Sequence, residues 1–204
     1  MIGWLSGVLR SVEGERILVE TQGVGYEVRI PASMREGLPP PGEPISLYIR
    51  TLFSEEEGIM LYGFPNAWQR RLFDMLITVG GVGPKLALNL MSATEPEMLA
   101  RAIALKDTRT LRTLPGVGAK LAERLALELS DKVAELAFEQ RIERLKVASR
   151  AATADLEALL TGLVQLGYSR RDASSALQAA LQENPDADEQ TLMRLALSKL
   201  APRR

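Results

Sequence analysis

One segment of sixteen residues occurs twice in this chain. Residues 76–91 read LITVGGVGPKLALNLM and residues 111–126 read LRTLPGVGAKLAERLA, an offset of 35 residues with no gap. Both copies contain Gly-Val-Gly-x-Lys-Leu-Ala-x-x-Leu. Apolar residues recur at helical spacing on each side of the glycines, so each copy predicts a helix, a tight turn and a second helix. A helix–hairpin–helix written twice constrains the fold more than any other feature of the sequence.

The glycines carry chemistry as well as a turn. Gly81 and Gly83, and then Gly116 and Gly118, each open a helix. The first amides of a helix lack intrahelical partners, and the helix dipole makes that end positive. A phosphate oxygen can sit there if no side chain blocks its approach. Glycine removes the Cβ and permits the turn. Lys85 and Lys120 add a cation one short turn later, and the valine between the glycines is expected to pack inward. A structural repeat accounts for repeated leucines but has no need of a repeated lysine. The candidate DNA-phosphate-binding residues are therefore Gly81, Gly83, Lys85, Gly116, Gly118 and Lys120. None of them reads a base, so the contact is expected to be sequence-independent.

The 204 residues include no cysteine and no histidine. That excludes disulfides, thiolate chemistry and Cys-ligated metals, and removes the commonest general base. No catalytic residue, metal ligand or cofactor is assigned. No apolar run approaches membrane-spanning length, and the first residues lack the apolar stretch of a signal peptide, so a cytoplasmic location is expected. The formal net charge of −1 is unevenly spread. Residues 1–66 carry −4, residues 67–135 carry +2, residues 136–150 carry +2 and residues 151–204 carry −1. The repeat lies in a positive segment. Its excess is small, so a strong electrostatic footprint needs several copies on one face, which points to an oligomer.

Residues 1–64 read as short strands: Trp4–Val12, Arg16–Thr21, Tyr26–Ile30, Pro44–Thr51 and Ile59–Gly63, separated by Gly- and Pro-rich turns. Five such strands suit a small OB-type barrel, with a generic five-stranded sheet as the alternative. From Pro65 the pattern turns helical, with Leu72, Phe73, Leu76 and Ile77 at helical spacing. A helix over Thr94–Ala104 is expected to begin with a Thr94 cap and Pro96 in its first turn. Residues 136–152 are rich in Ala, Glu, Arg and Lys and read as a partly helical tether. Three further helices, Asp155–Leu166, Arg170–Gln182 and Asp188–Leu200, predict a small bundle of ubiquitin-associated (UBA-like) type, divided at Gly167 and at Asn184-Pro185. The expected class is α+β multidomain: barrel 1–64, tandem helix-hairpin-helix 65–135, linker 136–152, three-helix domain 153–204.

Ser54-Glu55-Glu56-Glu57-Gly58 falls between two strands. Three successive carboxylates cannot all point one way on a strand, which argues against a metal site. A solvated tip is the ordinary reading of such a run. A negative pin beside two phosphate-binding hairpins suits the sharper reading, that it repels phosphate and keeps strands apart.

Several motifs in order carry a resemblance to a known family. Met1-Ile2-Gly3-x-Leu5-x-Gly7, Gly23-Val24-Gly25-Tyr26-Glu27-Val28, Leu61-Tyr62-Gly63-Phe64, Gly80-Gly81-Val82-Gly83-Pro84-Lys85-Leu86-Ala87-Leu88 and Leu114-Pro115-Gly116-Val117-Gly118 resemble RuvA, the Holliday-junction-binding subunit of the bacterial RuvAB branch-migration complex. The resemblance covers all three regions. It implies a barrel, a double helix–hairpin–helix and a small C-terminal domain on a flexible linker. It implies a homotetramer, single or doubled to an octamer, that holds an open four-way junction in recombination and DNA repair. It implies an acidic pin at the crossover, mapped here to Glu56 and Glu57 with Glu55 as a third charge. It also implies docking of the hexameric RuvB ATPase on the C-terminal domain, at a stretch matching Leu166-Gly167-Tyr168, and access for the RuvC resolvase on the open face. Where many relatives have two basic residues after the second hairpin, this chain has Ala119 then Lys120.

Three other functions are weighed against this. Leu-Pro-Gly-Val-Gly also occurs in base-excision glycosylases, which need a catalytic carboxylate and a pocket for a flipped base. Asp131 and Glu135 are the nearby acids, and both read as solvated helix residues. A motor needs G-x-x-x-x-G-K-[ST], and no Gly-Lys dipeptide occurs in the chain. A single-strand binder needs exposed aromatics on its barrel. Trp4, Tyr26, Tyr48 and Phe53 are few, and are expected in the core.

Overall fold

The computed structural model describes residues 1–184 and 187–200, with side chains for all of these except 143–155. The chain forms two compact units, Met1–Gln140 and Arg141–Arg204.

The first unit begins with five strands: β1 (Trp4–Glu13), β2 (Arg16–Thr21), β3 (Val24–Arg29), β4 (Pro44–Ser54) and β5 (Gly58–Phe64). They close into a barrel in the order β1-β2-β3-β5-β4. All pairs are antiparallel except β3 with β5. Alternation along each strand decides what lies inside. Leu5 pairs with Leu47, Leu9 with Val19 and Ile17 with Val28, and all six are buried in the barrel core. Gly63 faces the same core, where an added Cβ would lie 2.7 Å from Val28 Cγ1 and 3.1 Å from Leu47 Cδ1.

The opposite face of β5 is also buried. Tyr62 and Phe64 point out of the barrel into the core of the following helices. Phe73 packs on both, with ring centroids 5.1 Å from Tyr62 and 5.0 Å from Phe64. Barrel and helices therefore share one unit. A 3-10 helix after β3, Ala32–Gly37, adds a second tie. The Ala32 amide donates to Ser92 Oγ at 2.7 Å, and Ser33 Oγ donates to the Met91 carbonyl at 3.1 Å.

The helices of this unit are α1 (Ala67–Leu76), α2 (Pro84–Ala93), α3 (Pro96–Ala104), α4 (Thr108–Leu111) and the start of α5 (Ala119–Gln165). Asn66 caps α1 by accepting from the Gln69 amide at 2.8 Å. The expected Thr94 cap is not what forms. Thr94 is the extended residue that closes α2, and the N-cap of α3 is Glu95, with no side-chain cap bond. Proline explains this: Pro96 excludes Glu95 from helical geometry and supplies the first helical φ itself.

α5 is continuous helix from Ala119 to Gln165, where a partly helical tether was expected over 136–152. The expected start of the last domain at Thr153 lies where side chains are not described. In the second unit the end of α5 packs with α6 (Arg170–Glu183) and α7 (Glu189–Leu200) around Leu159, Leu163, Ala173, Leu177, Leu192 and Ala196. Asn184 closes α6, while Pro185 lies outside the described residues.

Candidate nucleic-acid interface

The two copies of the repeat fold alike. In the first, the Val82 amide donates to the Val79 carbonyl at 2.9 Å and the Ala87 amide to the Gly83 carbonyl at 2.9 Å. In the second, Val117 donates to Leu114 at 3.2 Å and Ala122 to Gly118 at 2.9 Å. Gly81 has φ +97° and Gly116 has φ +81°, the left-handed region where a side chain is strained. Val82 and Val117 are both buried in the helical core, which pins each loop from beneath. At Gly83 and Gly118 an added Cβ would meet nothing within 4 Å, so both face open space. The ladder of α2 begins at Ala87, which leaves the amides before it without helix partners. Lys85 and Lys120 are both exposed, in the first turn of α2 and of α5. Each hairpin thus presents a helix N-terminus, an open glycine and a cation on the same short stretch.

The loops also pack on each other reciprocally. A Cβ at Gly116 would lie 2.7 Å from Leu86 Cδ1, and one at Gly81 would lie 3.9 Å from Leu121 Cδ1. Leu86 and Leu121 are equivalent positions of the repeat, so the leucine after each lysine covers the glycine loop of the other hairpin. The repeat is therefore a face-to-face pair related by an approximate two-fold. Arg124 adds a one-sided link, donating from Nη1 to the Gly80 carbonyl at 2.6 Å.

The acidic turn sits at the end of the β4–β5 hairpin, closed by the pair Ser54 and Gly58. Ser54 Oγ accepts from the Glu56 amide at 3.2 Å and the Glu57 amide at 3.4 Å, and Gly58 has φ +71°. The three carboxylates are not equivalent. Glu57 Oε2 lies 2.5 Å from Arg29 Nη2, whereas among the described residues neither Glu55 nor Glu56 pairs with a cation. Burial works against the Arg29 charge, yet the bond to Glu57 and the neighbouring Tyr62 push the guanidinium pKa up. Among the described residues, the unpaired charge of the turn therefore sits at Glu55 and Glu56.

Two aromatics expected in the core are on the surface. Trp4 is 51% exposed and meets Tyr48 edge-on at 4.8 Å, because Leu5 and Leu47 take the inward positions. Phe53 is 74% exposed opposite Ile59, where β4 has run past the end of the barrel. Tyr48 and Phe53 lie an odd number of residues apart on one strand, so they face opposite sides and build no single stacking platform. Asp131 and Glu135 are exposed on α5.

In the second unit, α5 ends in a left-handed glycine cap. Gly167, at φ +98°, donates to the Val164 carbonyl, and the Tyr168 amide donates to Leu163. This pairing carries the next side chain back onto the helix. Tyr168 accordingly is half-buried against the core of the unit, while Leu166 is exposed. Of the two residues matched to the motor-docking stretch, Leu166 is the accessible one.

Comparison with known proteins matches each region of this geometry. Residues 1–63 match the RuvA N terminal domain, 73–131 the SAM-like helix-hairpin-helix tandem and 151–201 the RuvA C-terminal domain. A Holliday junction branch migration complex subunit RuvA from Methylobacterium sp. (strain 4-46) is 42% identical over 205 residues, covering 98% of this chain and 100% of the relative. The protein of the same description from Laribacter hongkongensis (strain HLHK9) is 42% identical, covering 98% and 99%. That from Acidobacterium capsulatum is 40% identical over 189 residues, covering 93% of each. The chain belongs to the RuvA family. Its α+β architecture is the family's: an OB-type barrel, a helix–hairpin–helix tandem and a C-terminal helical domain, in that order. Among the described residues, no helix of this RuvA-family chain is long and apolar enough to cross a membrane.

Sequence reasoning missed Arg124 and Arg29 as part of these sites. Arg124 was hidden because the repeat gives it no counterpart: the equivalent position is Asn89. Arg29 was hidden because its partner Glu57 is 28 residues away and is brought close only by barrel closure.

Proposed function

We propose that this chain is a non-catalytic scaffold that binds four-way DNA junctions by structure rather than by sequence. The amides at Gly81, Gly83, Gly116 and Gly118, with Lys85 and Lys120, hold backbone phosphates. The observation that supports this best is the repetition itself: the same open glycines, left-handed turns and exposed lysines occur twice. The relatives' description as a Holliday junction branch migration complex subunit supports the junction as ligand. In this reading a tetramer sets four hairpin pairs around one junction, and a doubled one sets eight. The tips of Glu55, Glu56 and Glu57 meet at the crossover and push strands apart. Residues 1–64 and 65–135 act as the DNA-binding body, 136–152 as the connection and 153–204 as the dock for a RuvB-type ATPase. The ATPase supplies the energy for branch migration in recombination and repair. One face of the junction stays open to a RuvC-type resolvase. The chemistry fits a location in the cytoplasm.

The test is the salt dependence of binding. Each phosphate contact releases counterions, and the slope of log K against log salt falls by about 0.9 per contact. Lys85→Ala with Lys120→Ala is expected to weaken binding alike for all sequences and to reduce the slope by about 2 for each subunit that contacts duplex through both lysines. An affinity and slope equal to those of the unaltered protein would remove these lysines from the interface.

A further inference from the structure

We propose that Arg124 is a positioning residue that locks the two hairpins in register, so that both phosphate sites engage DNA together. This rests on the phosphate reading above and extends it to the relation between the two sites. Arg124 lies on α5, which starts at the second hairpin, and Gly80 lies in the loop of the first. Their bond, Nη1 to the Gly80 carbonyl at 2.6 Å, spans 44 residues of sequence. The carbonyl it holds belongs to the peptide that leads into Gly81, the left-handed residue of the first loop. Fixing that carbonyl fixes the plane of the Gly81 amide. The guanidinium has a second support in Glu128, one turn along α5, at 3.8 Å.

Gly80 itself carries the second observation. A Cβ there would lie 2.9 Å from Arg124 Nη1 and 3.9 Å from its Cζ, with nothing else within 4 Å. The backbone at Gly80 is not left-handed, so neither strain nor any other neighbour requires glycine at this position. The one group a Cβ would crowd is the Arg124 guanidinium, the far end of a flexible side chain, which would have to leave its place on the Gly80 carbonyl.

The arrangement is asymmetric in a two-fold pair. The reciprocal leucine contacts hold the hairpins against each other, but apolar contact has no direction of its own. A charge-assisted hydrogen bond is directional and stronger than a neutral one. One such bond is enough to set a register, and it is present on one side of the pair.

The alternative is that Arg124, half-exposed beside the loops, contacts a phosphate itself. The two roles separate in a double-mutant cycle of Arg124→Ala and Gly80→Ala, using the full-length chain and a four-way junction. Gly80→Ala keeps the cation but displaces the guanidinium, the flexible end of its side chain. Positioning predicts that each single variant binds the junction about fivefold more weakly, the size of one net hydrogen bond. It predicts that the salt slope stays unchanged, because the unlocked hairpins still reach register on DNA and keep every phosphate contact at the cost of being fixed there, and that the double variant is no worse than either single. Thermal melting before the binding series identifies variants that retain the fold, and affinities are compared at a temperature well below every midpoint.

A slope reduced by about 0.9 in Arg124→Ala, with Gly80→Ala harmless, would assign Arg124 to a phosphate and overturn the proposal. Unchanged affinity in both single variants, or fully additive losses, would overturn it as well. The lysine double variant run in parallel reports on the phosphate reading alone: an unchanged slope there indicts that reading, whereas a reduced slope beside a failed cycle indicts only the lock.

Discussion

In the first hairpin the leading helix, α1, has ten residues, a capping Asn66 and a face of buried side chains packed on β5. In the second the leading helix, α4, has four residues and buries only Leu111. The trailing helices differ as much, α2 with ten residues and α5 with 47. Yet the loops between them make the same hydrogen bonds and place glycine in the same left-handed region. The loop is thus a local device, set by a left-handed glycine and a buried valine, and indifferent to the length of its supports. The supports decide what surrounds it. Asp74 on α1 is the repeat equivalent of Arg109 on α4; the first is half-buried against Arg50 of β4, the second exposed to solvent.

The largest expected effect tests whether the loops are as alike in energy as in geometry. An L-residue in the left-handed region costs about 1–2 kcal/mol. Gly81→Ala should cost about that and little more, since its nearest neighbour stands 3.9 Å away. Gly116→Ala carries the same strain and also drives a Cβ to 2.7 Å from Leu86 Cδ1. The Gly116 variant should therefore melt at a clearly lower temperature than the Gly81 variant, followed by circular dichroism. Equal shifts would mean that Leu86 moves aside freely and that the two-fold packing is loose.

The repeat was readable because its chemistry is local: glycine, valine and lysine at fixed spacing specify a turn, a buried anchor and a cation. The barrel strands were readable for the same reason, from alternation along each strand. What could not be read depends on closure. Trp4 and Phe53 have ordinary core chemistry, and only the inward register of Leu5 and Leu47, and the overrun of β4, put them outside. The Arg29–Glu57 pair and the Arg124–Gly80 bond join residues that no sequence window contains. The Thr94 cap was misjudged by a local rule, since the constraint of Pro96 on Glu95 outweighed the preference for a hydroxyl cap.

A smaller effect sets both hairpins against the acidic tip, which carries the opposite charge. A carboxylate 4 Å from a phosphate costs about 1 kcal/mol in bulk water, more where water is excluded. Replacing Glu55 and Glu56 with Gln should tighten binding, and by more for plain duplex than for a junction whose strands are already separated. Glu57→Gln removes an exposed ion pair, which is worth about 0–1 kcal/mol, and should leave the ratio of the two affinities nearly unchanged. Affinities for both DNAs across a salt series would decide it. If Glu57→Gln shifts the ratio as much as the Glu55 and Glu56 pair, Arg29 does not neutralise it.

The smallest effect separates the supports of the two hairpins by pH. Hydrogen bonds from the Thr110 hydroxyl and amide hold the Asp107 carboxyl below its ordinary 3.8. A depressed carboxylate stabilises the fold above its unfolded pKa, and that stability is lost as pH falls through the folded value. Asp74 goes the other way: burial raises its pKa above 3.8, against the pull of Arg50 and Arg70. The folded chain then holds that proton more tightly than the unfolded one, so the cost of ionised Asp74 is present at neutral pH and disappears on acidification. As pH falls towards the ordinary aspartate value of 3.8, protonation should relieve the support of the first hairpin, and below that value it should loosen the cap of the second. The Thr110 amide, bonded to Asp107 Oδ1 at 3.1 Å, reports this directly in an NMR titration. Its shift should move with a midpoint below the usual aspartate range, and Asp107→Asn, which keeps a capping side chain, should abolish that movement. A midpoint at or above the usual range would mean that the cap is not formed in solution. The second hairpin would then rest on Leu111 and the packing of α5 alone.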